Sequence, residues 1–479
     1  MNKLYNLLLQ LDEKELSRLE LYLSSPYFVT SPYPQQLFSF LKSVHPDYKK
    51  WDKTTVANAV FSDRKQDRKF INSRYSELSR VIEDFLAMEY FKKDPDLRDK
   101  ARREAFAAKQ LYTTFKGICK KQLRAMGKPK DYASSAYLKA FEIYTDLYGH
   151  PYRIAHDSGE QTFYQMTHQL DLFFISEKLK QLCDHYAQHL TYQRPAHFRM
   201  EEVILQEAAH FRQESLQIDL FYQLAEVFQL KLTEELLEDI LQTYLHKGHQ
   251  LQRDDQAFFL QKLVSILNYK LNRDQKYVPK LFALYQYGDK ENLFLLNDKI
   301  TDSTFLNVCT VGGFQQEFTW THQFIKRNHK YLFPKTQREA SLLGQAIVLF
   351  HQGLYKKAFD LLQEIPQKGM HYKLRIRTLT VRCVLAAHIA ENNYRDTVLD
   401  SIEAFRQFLK REKTLSAARK KQYRAFCSMA RKLALIRILD WNNPEVRSAF
   451  RSKLEAQKTI VLKPWLLKLL NESGQSKPY

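Results

Sequence analysis

Two histidines four positions apart are the residues of this chain best suited to metal chemistry. His185 and His189 would lie on one side of a helix, just after Cys183, and two imidazoles at that spacing can bind the same metal ion. A catalytic zinc site also needs a carboxylate base and a third ligand, but only Tyr, Ala and Gln separate the histidines. The nearest further candidate is His197. We therefore interpret the pair as part of a solvated helix face, and we expect no metal and no cofactor.

Sequence motifs that carry catalysis or bind phosphate are missing. Phosphate-binding loops need glycines because backbone N–H groups must approach the anion closely. The sequence contains neither G-x-x-x-x-G-K-[ST] nor G-x-G-x-x-G, and the nucleophile motif G-x-S-x-G does not occur. We therefore expect a protein that is not an enzyme.

Positive charge is concentrated in two parts of the chain, whose formal net charge is +20 at pH 7. Residues 92–130 carry about +9 and residues 410–479 about +12, whereas residues 131–260 carry about −10. Helical spacing would collect cations on one face in each basic part. The residues of these candidate basic patches are Lys109, Lys116, Lys120 and Arg124 in the first part and Lys421, Arg424 and Arg431 in the second.

Three partners would fit such basic patches. Nucleic acid would bind through residues 92–130 and 410–468 without sequence preference and with strong salt sensitivity. An acidic partner protein would dock on the same charges, and the basic C-terminal part would also fit the acidic middle of a second copy, giving self-association. The alternative interpretation is a solvated helix face with no partner, because no recognisable DNA- or RNA-reading module accompanies the charges.

Composition indicates long helices joined by short connections. Only 12 glycines and 14 prolines occur in 479 residues, too few for a β-rich or doubly wound protein of this length. The 5 cysteines are widely spaced, which favours free thiols in a reducing compartment. No signal-peptide pattern and no apolar run of about 18 residues is present. We expect a cytoplasmic protein without a membrane span.

Helical periodicity predicts a small N-terminal module over residues 1–93. Asp12 and Glu15 have the spacing of a capping box, and Asp52 is placed to cap a short helix. A long amphipathic helix follows, from about 66 to 91, and Pro95 marks its end. Beyond it, residues 98–299 are predicted to form an irregular succession of helices, including one over 98–126 and one over 289–299.

The late part of the chain, residues 300–440, contains helix pairs that recur. The stretch L-L-G-Q-A-I-V-L-F-H-Q-G-L-Y-K-K-A-F-D-L-L-Q-E-I-P predicts two helices that meet at Gly353. About 39 residues later Asn392 and Tyr394 occupy the places of Gly353 and Tyr355. An earlier pair is predicted to break at Gly312-Gly313. Residues 441–479 are predicted to form C-terminal capping helices and a disordered basic tail.

The stretch 346–362 resembles a tetratricopeptide repeat. Its matching positions are Ala346 in the first helix, Gly353 and Tyr355 at the turn, and Ala358 at the crossing point. The sequence departs from the family pattern at Leu349, where an aromatic residue is usual, and at Thr397 of the next pair, where alanine is usual. The whole chain also resembles a group of all-helical proteins of Bacteroidota, through L-S-S-P-Y-F, the long helix S-R-Y-S-E-L-S-R-V-I-E-D-F-L and the late pairs; that resemblance implies no activity.

The tetratricopeptide resemblance implies stacked helical hairpins, an α-solenoid, with a concave face that binds peptides or proteins. We therefore expect an all-α, non-catalytic scaffold or adaptor whose protein partner the sequence does not identify. Contact residues would come from the first helix of each pair. The candidates for this concave face are Gln345, Leu349, Gln352, Arg377, Thr380 and Val384.

Overall fold

The computed structural model describes residues 3–61, 68–126, 133–156, 158–192, 197–229, 233–271, 275–366, 370–457 and 459–472. Within these residues the chain is built from α-helices with short 3₁₀ turns, and the one β-bridge is isolated, between Leu296 and Lys299. The predicted all-α class is therefore confirmed. The predicted disordered tail after residue 472 lies outside the described residues.

The chain divides into two compact units. The first comprises residues 1–127 and 140–166, and the second comprises residues 128–139 and 167–479. The helices that contribute to the first unit are α1 Lys3–Leu8, α2 Glu13–Leu23, α3 Tyr33–Ser43, α4 Lys53–Val60, α5 Arg68–Lys93, α6 Pro95–Ala108, α7 Tyr112–Met126, α8 Ser134–Gly149, α9 Pro151–His156 and α10 Glu160–Tyr192. Helices α8 and α10 contribute residues to both units.

Local capping fixes the N-terminal helices where the sequence predicts them. Asp12 and Glu15 exchange side-chain and backbone hydrogen bonds in a complete capping box at the start of α2. Asp52 accepts hydrogen bonds from the backbone of the first turn of α4. The apolar faces of α1 to α5 then enclose one hydrophobic core that runs from Leu4 to Phe85.

The second unit continues as fourteen helices of the described chain after α10. They are α11 Glu201–Phe211, α12 Leu216–Gln229, α13 Glu234–Lys247, α14 Arg253–Leu271, α15 Val278–Lys290, α16 Asp302–Phe314, α17 Phe318–Asn328, α18 Gln337–His351, α19 Tyr355–Gln363, α20 Met370–Glu391, α21 Arg395–Arg411, α22 Ala417–Leu439, α23 Pro444–Glu455 and α24 Lys463–Glu472. Their apolar faces share one core, which extends from Leu172 to Leu470.

The late helices pack in a regular order. In four consecutive pairs, α16 with α17, α18 with α19, α20 with α21 and α22 with α23, each first helix packs on its own second helix. The first helices of the first three pairs also pack on the first helix of the next pair. Each of the second helices α17, α19 and α21 also packs on the first helix that follows. We call α16, α18, α20 and α22 the first helices below.

The turns inside the second and third pairs share one backbone conformation. Gly353 has a φ of +80° and Asn392 a φ of 52°, so both residues adopt the left-handed conformation that ends a helix. Asparagine tolerates this region better than most residues that carry a side chain. The two residues thus share a backbone conformation, and their correspondence as repeat positions stays a prediction.

Three sequence-based predictions of helix ends are wrong. The helix predicted over 98–126 is two helices, α6 and α7, separated by a turn in which Gln110 has a φ of 57°. Residues 291–301 form turns rather than a helix, with positive φ at Asn292, Asn297 and Asp298. Gly312 and Gly313 lie inside α16, and the break comes after them, at Gln316. In each case asparagine, aspartate or glutamine side chains adopt the left-handed conformation at the turn, without a glycine.

None of the described helices combines enough length with enough apolar character to cross a lipid bilayer.

Candidate anion-binding face on the first helices

Tyrosine, asparagine and arginine side chains from several helices converge on Arg375, near the start of α20. The Arg375 guanidinium donates a hydrogen bond from Nη2 to Asn307 Oδ1 of α16 at 3.1 Å. Tyr285 of α15 and Tyr423 of α22 are close enough to interact with its charge, as is Tyr372 of α20 itself. We call Arg375, Arg419 and these four neighbours the Arg375 cluster.

No carboxylate contacts Arg375 within the described part of the chain. Burial lowers the pKa of Arg375, and the nearby tyrosines, not an acidic residue, oppose that effect. Arg419 of α22 adds a second positive charge that lowers the same pKa further. A half-buried arginine with a second arginine beside it and no acid is unusual, because charges removed from water are normally paired.

The edge of the cluster is held by Asp302, the first residue of α16. Its carboxylate accepts a hydrogen bond from the Tyr372 hydroxyl at 2.6 Å and another from the Thr336 hydroxyl at 3.0 Å. Thr336 is the N-cap residue of α18 and Tyr372 lies in the first turn of α20. One carboxylate therefore ties together the N-terminal ends of three first helices, and it bonds to hydroxyls rather than to Arg375.

A second arginine without an acidic partner lies two turns further along α20. Arg382 is only 8% exposed, and its Nε and Nη2 have no hydrogen-bond partner within the described residues. Its guanidinium lies over the rings of Phe350, 4.2 Å away, and Trp465, 5.1 Å away. Burial lowers the pKa of Arg382 to about 10, so the side chain stays charged at neutral pH. The aromatic faces attract this cation, but they do not satisfy its N–H groups.

The positive charge of Arg382 also lowers the pKa of the neighbouring His351. Burial, together with the positive charges of Arg382 and Lys468, lowers the pKa of His351 to about 3. The ring stays neutral at physiological pH and lies 4.6 Å from the Phe314 ring. It also occupies the space that a side chain at residue 313 would take, which explains the glycine there.

The sequence-predicted contact residues lie on other parts of the same helices. The Arg377 guanidinium lies over the Phe408 ring of α21 at 5.0 Å, toward the second helix of its own pair. Thr380 and Gln345 are half-buried, Val384 is 4% exposed, and Leu349 packs against the hydrophobic core. Gln352 is the C-cap residue of α18. The contact role of these six residues stays a prediction.

The two basic patches differ in their organisation. Lys109 is the C-cap residue of α6 and is separated by a turn from α7, which carries Lys116, Lys120 and Arg124. On α22 the residues Lys421, Arg424 and Arg431 are all exposed. None of these three cations forms an ion pair with a described carboxylate.

The histidine pair of α10 gives no metal site among the residues that the structure describes. His185 packs against the Phe198 ring, 5.6 Å away, and Cys183 Sγ donates to the Phe221 carbonyl oxygen. The side chain of His189 lies outside the described residues. No group of three or more potential ligands from described His, Cys, Asp or Glu residues comes together elsewhere.

Sequence reasoning missed Arg375 and Arg382, although one signal was present. In the sequence Arg382 lies between apolar residues, directly before Cys383-Val384-Leu385-Ala386-Ala387, and the structure buries every residue from Val381 to Ile389. A cation inside a fully buried stretch needs a partner, so Arg382 was a candidate functional residue. For Arg375 the sequence held no comparable signal, since its neighbours come from helices far away along the chain.

No family model, no curated protein and no solved structure matches this chain. We therefore infer what this face can bind from its own residues. Half-buried Arg375, with Arg419 nearby and no acidic partner among the residues that the structure describes, provides donors and positive charge. Such an arrangement suits carboxylate groups of a ligand.

Proposed function

We propose that this protein is a non-catalytic scaffold that binds an acidic segment of a partner protein on the face of its first helices. In this proposal the helix pairs α16 to α23 form a tetratricopeptide-like solenoid and their first helices line its concave side. The Arg375 cluster provides the positive charge that selects the partner. The observation that carries the proposal is the pair Arg375 and Arg419, close together and without a carboxylate partner in the described ranges of the chain.

The packing order of the late helices supports this architecture. Each first helix contacts the next first helix, so side chains of α16, α20 and α22 can meet on one side, as Arg375, Asn307 and Tyr423 do. Extended binding faces of this kind are typical of helical repeats. Tyr372 already donates to Asp302 and Tyr285 is buried, which leaves the half-buried Tyr423 to add a donor that a carboxylate or backbone carbonyl of a bound segment would accept.

The test is affinity capture from the native cell, followed by mass spectrometry, with the normal chain and with the variant Arg375→Glu/Arg419→Glu. We expect the normal chain to retain a partner in stoichiometric amount and the variant to lose it, because two attractive charges become repulsive. The matched control is Arg395→Glu on α21, a second helix, where the exposed arginine takes no part in the cluster. The control is expected to retain the partner.

Two results would contradict the proposal. The first is that no stoichiometric protein is recovered with the normal chain. The second is that the double variant and the Arg395→Glu control retain the partner equally. Circular dichroism of all three proteins checks that the helices are intact.

A second candidate function is sequence-independent nucleic-acid binding. The observation that favours it is the stripe Lys421, Arg424 and Arg431, three exposed cations of one helix with no ion pair among the described residues. Phosphates neutralised by such a stripe would release counterions, so the affinity would fall steeply with salt.

Filter binding of single- and double-stranded DNA and RNA at several salt concentrations decides this second candidate. If the protein binds nucleic acid, its affinity should fall as the salt concentration rises. The variant Arg424→Glu/Arg431→Glu should reduce this salt dependence, and Arg375→Glu/Arg419→Glu should leave it unchanged. An absence of binding at low salt would eliminate it.

A further inference from the structure

The last described helix, α24, reaches the first helices of three different pairs. Trp465 of α24 lies against Phe350 of α18, with ring centroids 6.2 Å apart, and against Phe426 of α22 at 6.3 Å. The Arg382 guanidinium of α20 lies over the same indole ring at 5.1 Å. A helix that only capped the last pair would contact α22 and α23, on which α24 also packs. Because Trp465 in addition contacts α18 and α20, α24 lies across a side that these first helices share.

Apolar side chains hold α24 in this position. Leu466, Leu469 and Leu470 are buried in the hydrophobic core of the second unit. Where α24 begins, the Lys463 ammonium donates hydrogen bonds to two carbonyl oxygens at the end of α23. The helix therefore fills this part of the first helices in the way that an amphipathic helix fills a groove.

The connection that leads into α24 is strained. Leu462, the residue before the helix, has a φ of 58°. This left-handed conformation is unfavourable for leucine, because its Cβ comes close to the following carbonyl oxygen. The packing of α24 maintains the strained backbone, and release of the helix would remove the strain.

The charges beneath α24 do not match its own. Arg382 Nε and Nη2 have no acceptor among the residues that the structure describes, and Trp465 is one of the two rings that cover the guanidinium. Lys468 of α24 adds positive charge in the same region, since Lys468 and Arg382 both lower the pKa of His351. A charge removed from water is costly unless it is paired. A helix that carried carboxylates would therefore suit this region better than α24 does.

We propose that α24 is an autoinhibitory strap, which an acidic amphipathic helix of a partner protein displaces from the first helices. The inference rests on the scaffold function proposed above and names the form of the acidic segment. The Arg375 cluster adjoins the strap, because Arg375 precedes Arg382 by about two turns of α20. On α22, Tyr423 of the cluster precedes Phe426 by about one turn. The partner helix places apolar side chains where Trp465 lay and carboxylates toward the arginines.

The test is fluorescence anisotropy of a labelled peptide with the full chain. The peptide has the sequence of residues 459–472 with Lys463→Glu and Lys468→Glu, which keeps the apolar residues of α24 and adds carboxylates. We expect it to bind the variant Trp465→Ala about tenfold more tightly than the normal chain, because a loosened strap raises the fraction of chains with an open face. Trp320→Ala, at a half-buried tryptophan of the second helix α17, is the matched control and should bind as the normal chain does.

A second peptide tests the preference for acidic residues. The unsubstituted sequence of residues 459–472 should bind Trp465→Ala more weakly than the acidic peptide, by about fivefold or more, because its lysines are repelled by the arginines. Equal or tighter binding of the unsubstituted peptide would overturn the proposed chemistry of the partner.

Hydrogen–deuterium exchange of the normal chain tests the displacement without a variant. With excess acidic peptide we expect faster exchange in α24 and unchanged exchange in α1 to α5. Unchanged or slower exchange in α24 would overturn the proposal even if Trp465→Ala fails to fold. The proposal would also be overturned if the acidic peptide bound neither the normal chain nor Trp465→Ala, or bound both with equal affinity.

The strap and the scaffold function can fail separately. The scaffold function fails if capture of the partner is the same for the normal chain and for Arg375→Glu/Arg419→Glu. A partner that this double variant loses, together with unchanged exchange in α24, would keep the scaffold function and overturn the strap.

Discussion

Two side chains at the end of α18 and in the middle of α20 show how burial changes the chemistry of single residues. His351 is neutral and Arg382 is charged, although both are largely removed from water. The difference follows from their ordinary pKa values, because a guanidinium with a pKa lowered to about 10 still holds its proton at pH 7 whereas an imidazole does not. The charge state of each of these two residues leads to one testable prediction.

The stability of the second unit is expected to fall between pH 6.5 and pH 5 because of His351. Its pKa in the folded chain is about 3 against 6.5 in the unfolded chain, so the unfolded state takes up a proton first as the pH falls. The free energy of unfolding should drop by about 2 kcal/mol over this window. Calorimetry of the variant His351→Gln should no longer show this pH-dependent loss of stability. The variant His322→Gln, at an exposed position, should still show it. An identical pH dependence in both variants would contradict the assignment.

Replacing Arg382 by methionine is expected to stabilise the fold. The variant keeps a flexible apolar side chain between Phe350 and Trp465 and removes a cation whose N–H groups are unsatisfied. We expect the free energy of unfolding to rise by about 1 kcal/mol or more, measured by chemical denaturation. Exposed Arg424→Met should change it by less than about 0.5 kcal/mol. A clear loss of stability in Arg382→Met would mean that the aromatic rings outweigh the desolvation of the charge.

At the scale of elements, close approach of helices explains glycines that the sequence pattern assigns to turns. A Cβ at residue 312 would come within 2.2 Å of Thr321 Oγ1, and Thr321 is fully buried on α17. Gly312 therefore allows α16 and α17 to pack closely. Gly353, by contrast, has open space around its Cα and a positive φ, so backbone conformation alone explains it.

The substitution Gly312→Ala is expected to destabilise the second unit by about 1–3 kcal/mol, because the added methyl overlaps a side chain in a close-packed interface. Gly117→Ala on α7, where nothing lies within 4 Å, should stabilise its helix by about 0.5–1 kcal/mol. Both effects are measured by chemical denaturation. Adding Thr321→Ala to Gly312→Ala should recover part of the loss, and a failure to recover any would rule out the proposed overlap.

At the scale of the whole molecule, the hydrophobic residues form separate cores. One core runs from Leu4 to Phe85, and another runs from Leu172 to Leu470. Chains with separate cores open in separate cooperative steps.

The substitution Leu78→Ala, at a fully buried residue of α5, is expected to destabilise only the N-terminal core. The cost should be about 2–5 kcal/mol, as for other leucines truncated in a core. Hydrogen–deuterium exchange with mass spectrometry should show faster exchange in α1 to α5 and unchanged exchange in α16 to α22. Equal acceleration in both regions would mean that the chain unfolds as one unit.

The acidic middle of the chain is partly neutralised by its own lysines. Asp184 pairs with Lys262 and Asp255 with Lys180, between α10 and α14. Two glutamates of α13, Glu234 and Glu238, pair with lysines that lie near or on α15. Fewer carboxylates therefore remain to receive the basic C-terminal part of a second copy. We expect light scattering to give the monomer mass at low and at high salt, and a larger mass at low salt alone would support self-association.

The sequence by itself determined the helical class, many of the helix ends and the turns at Gly353 and Asn392. These features depend on residues close together in the chain: caps such as Asp12 and Asp52, apolar periodicity, and the backbone preference of glycine and asparagine. The sequence did not determine the ends at Gln110 and Gln316, because polar residues also adopt the left-handed conformation when packing requires it.

The tertiary structure alone decided which charged residues lack a partner. Arg375 meets Asn307 across 68 residues, and Arg103 meets Asp146 across 43. A sequence pattern gives the face of one helix but not the helix that packs on it, and the pairing and desolvation of a charge depend on that neighbour. For this reason the proposed scaffold face involves residues that spacing alone did not select.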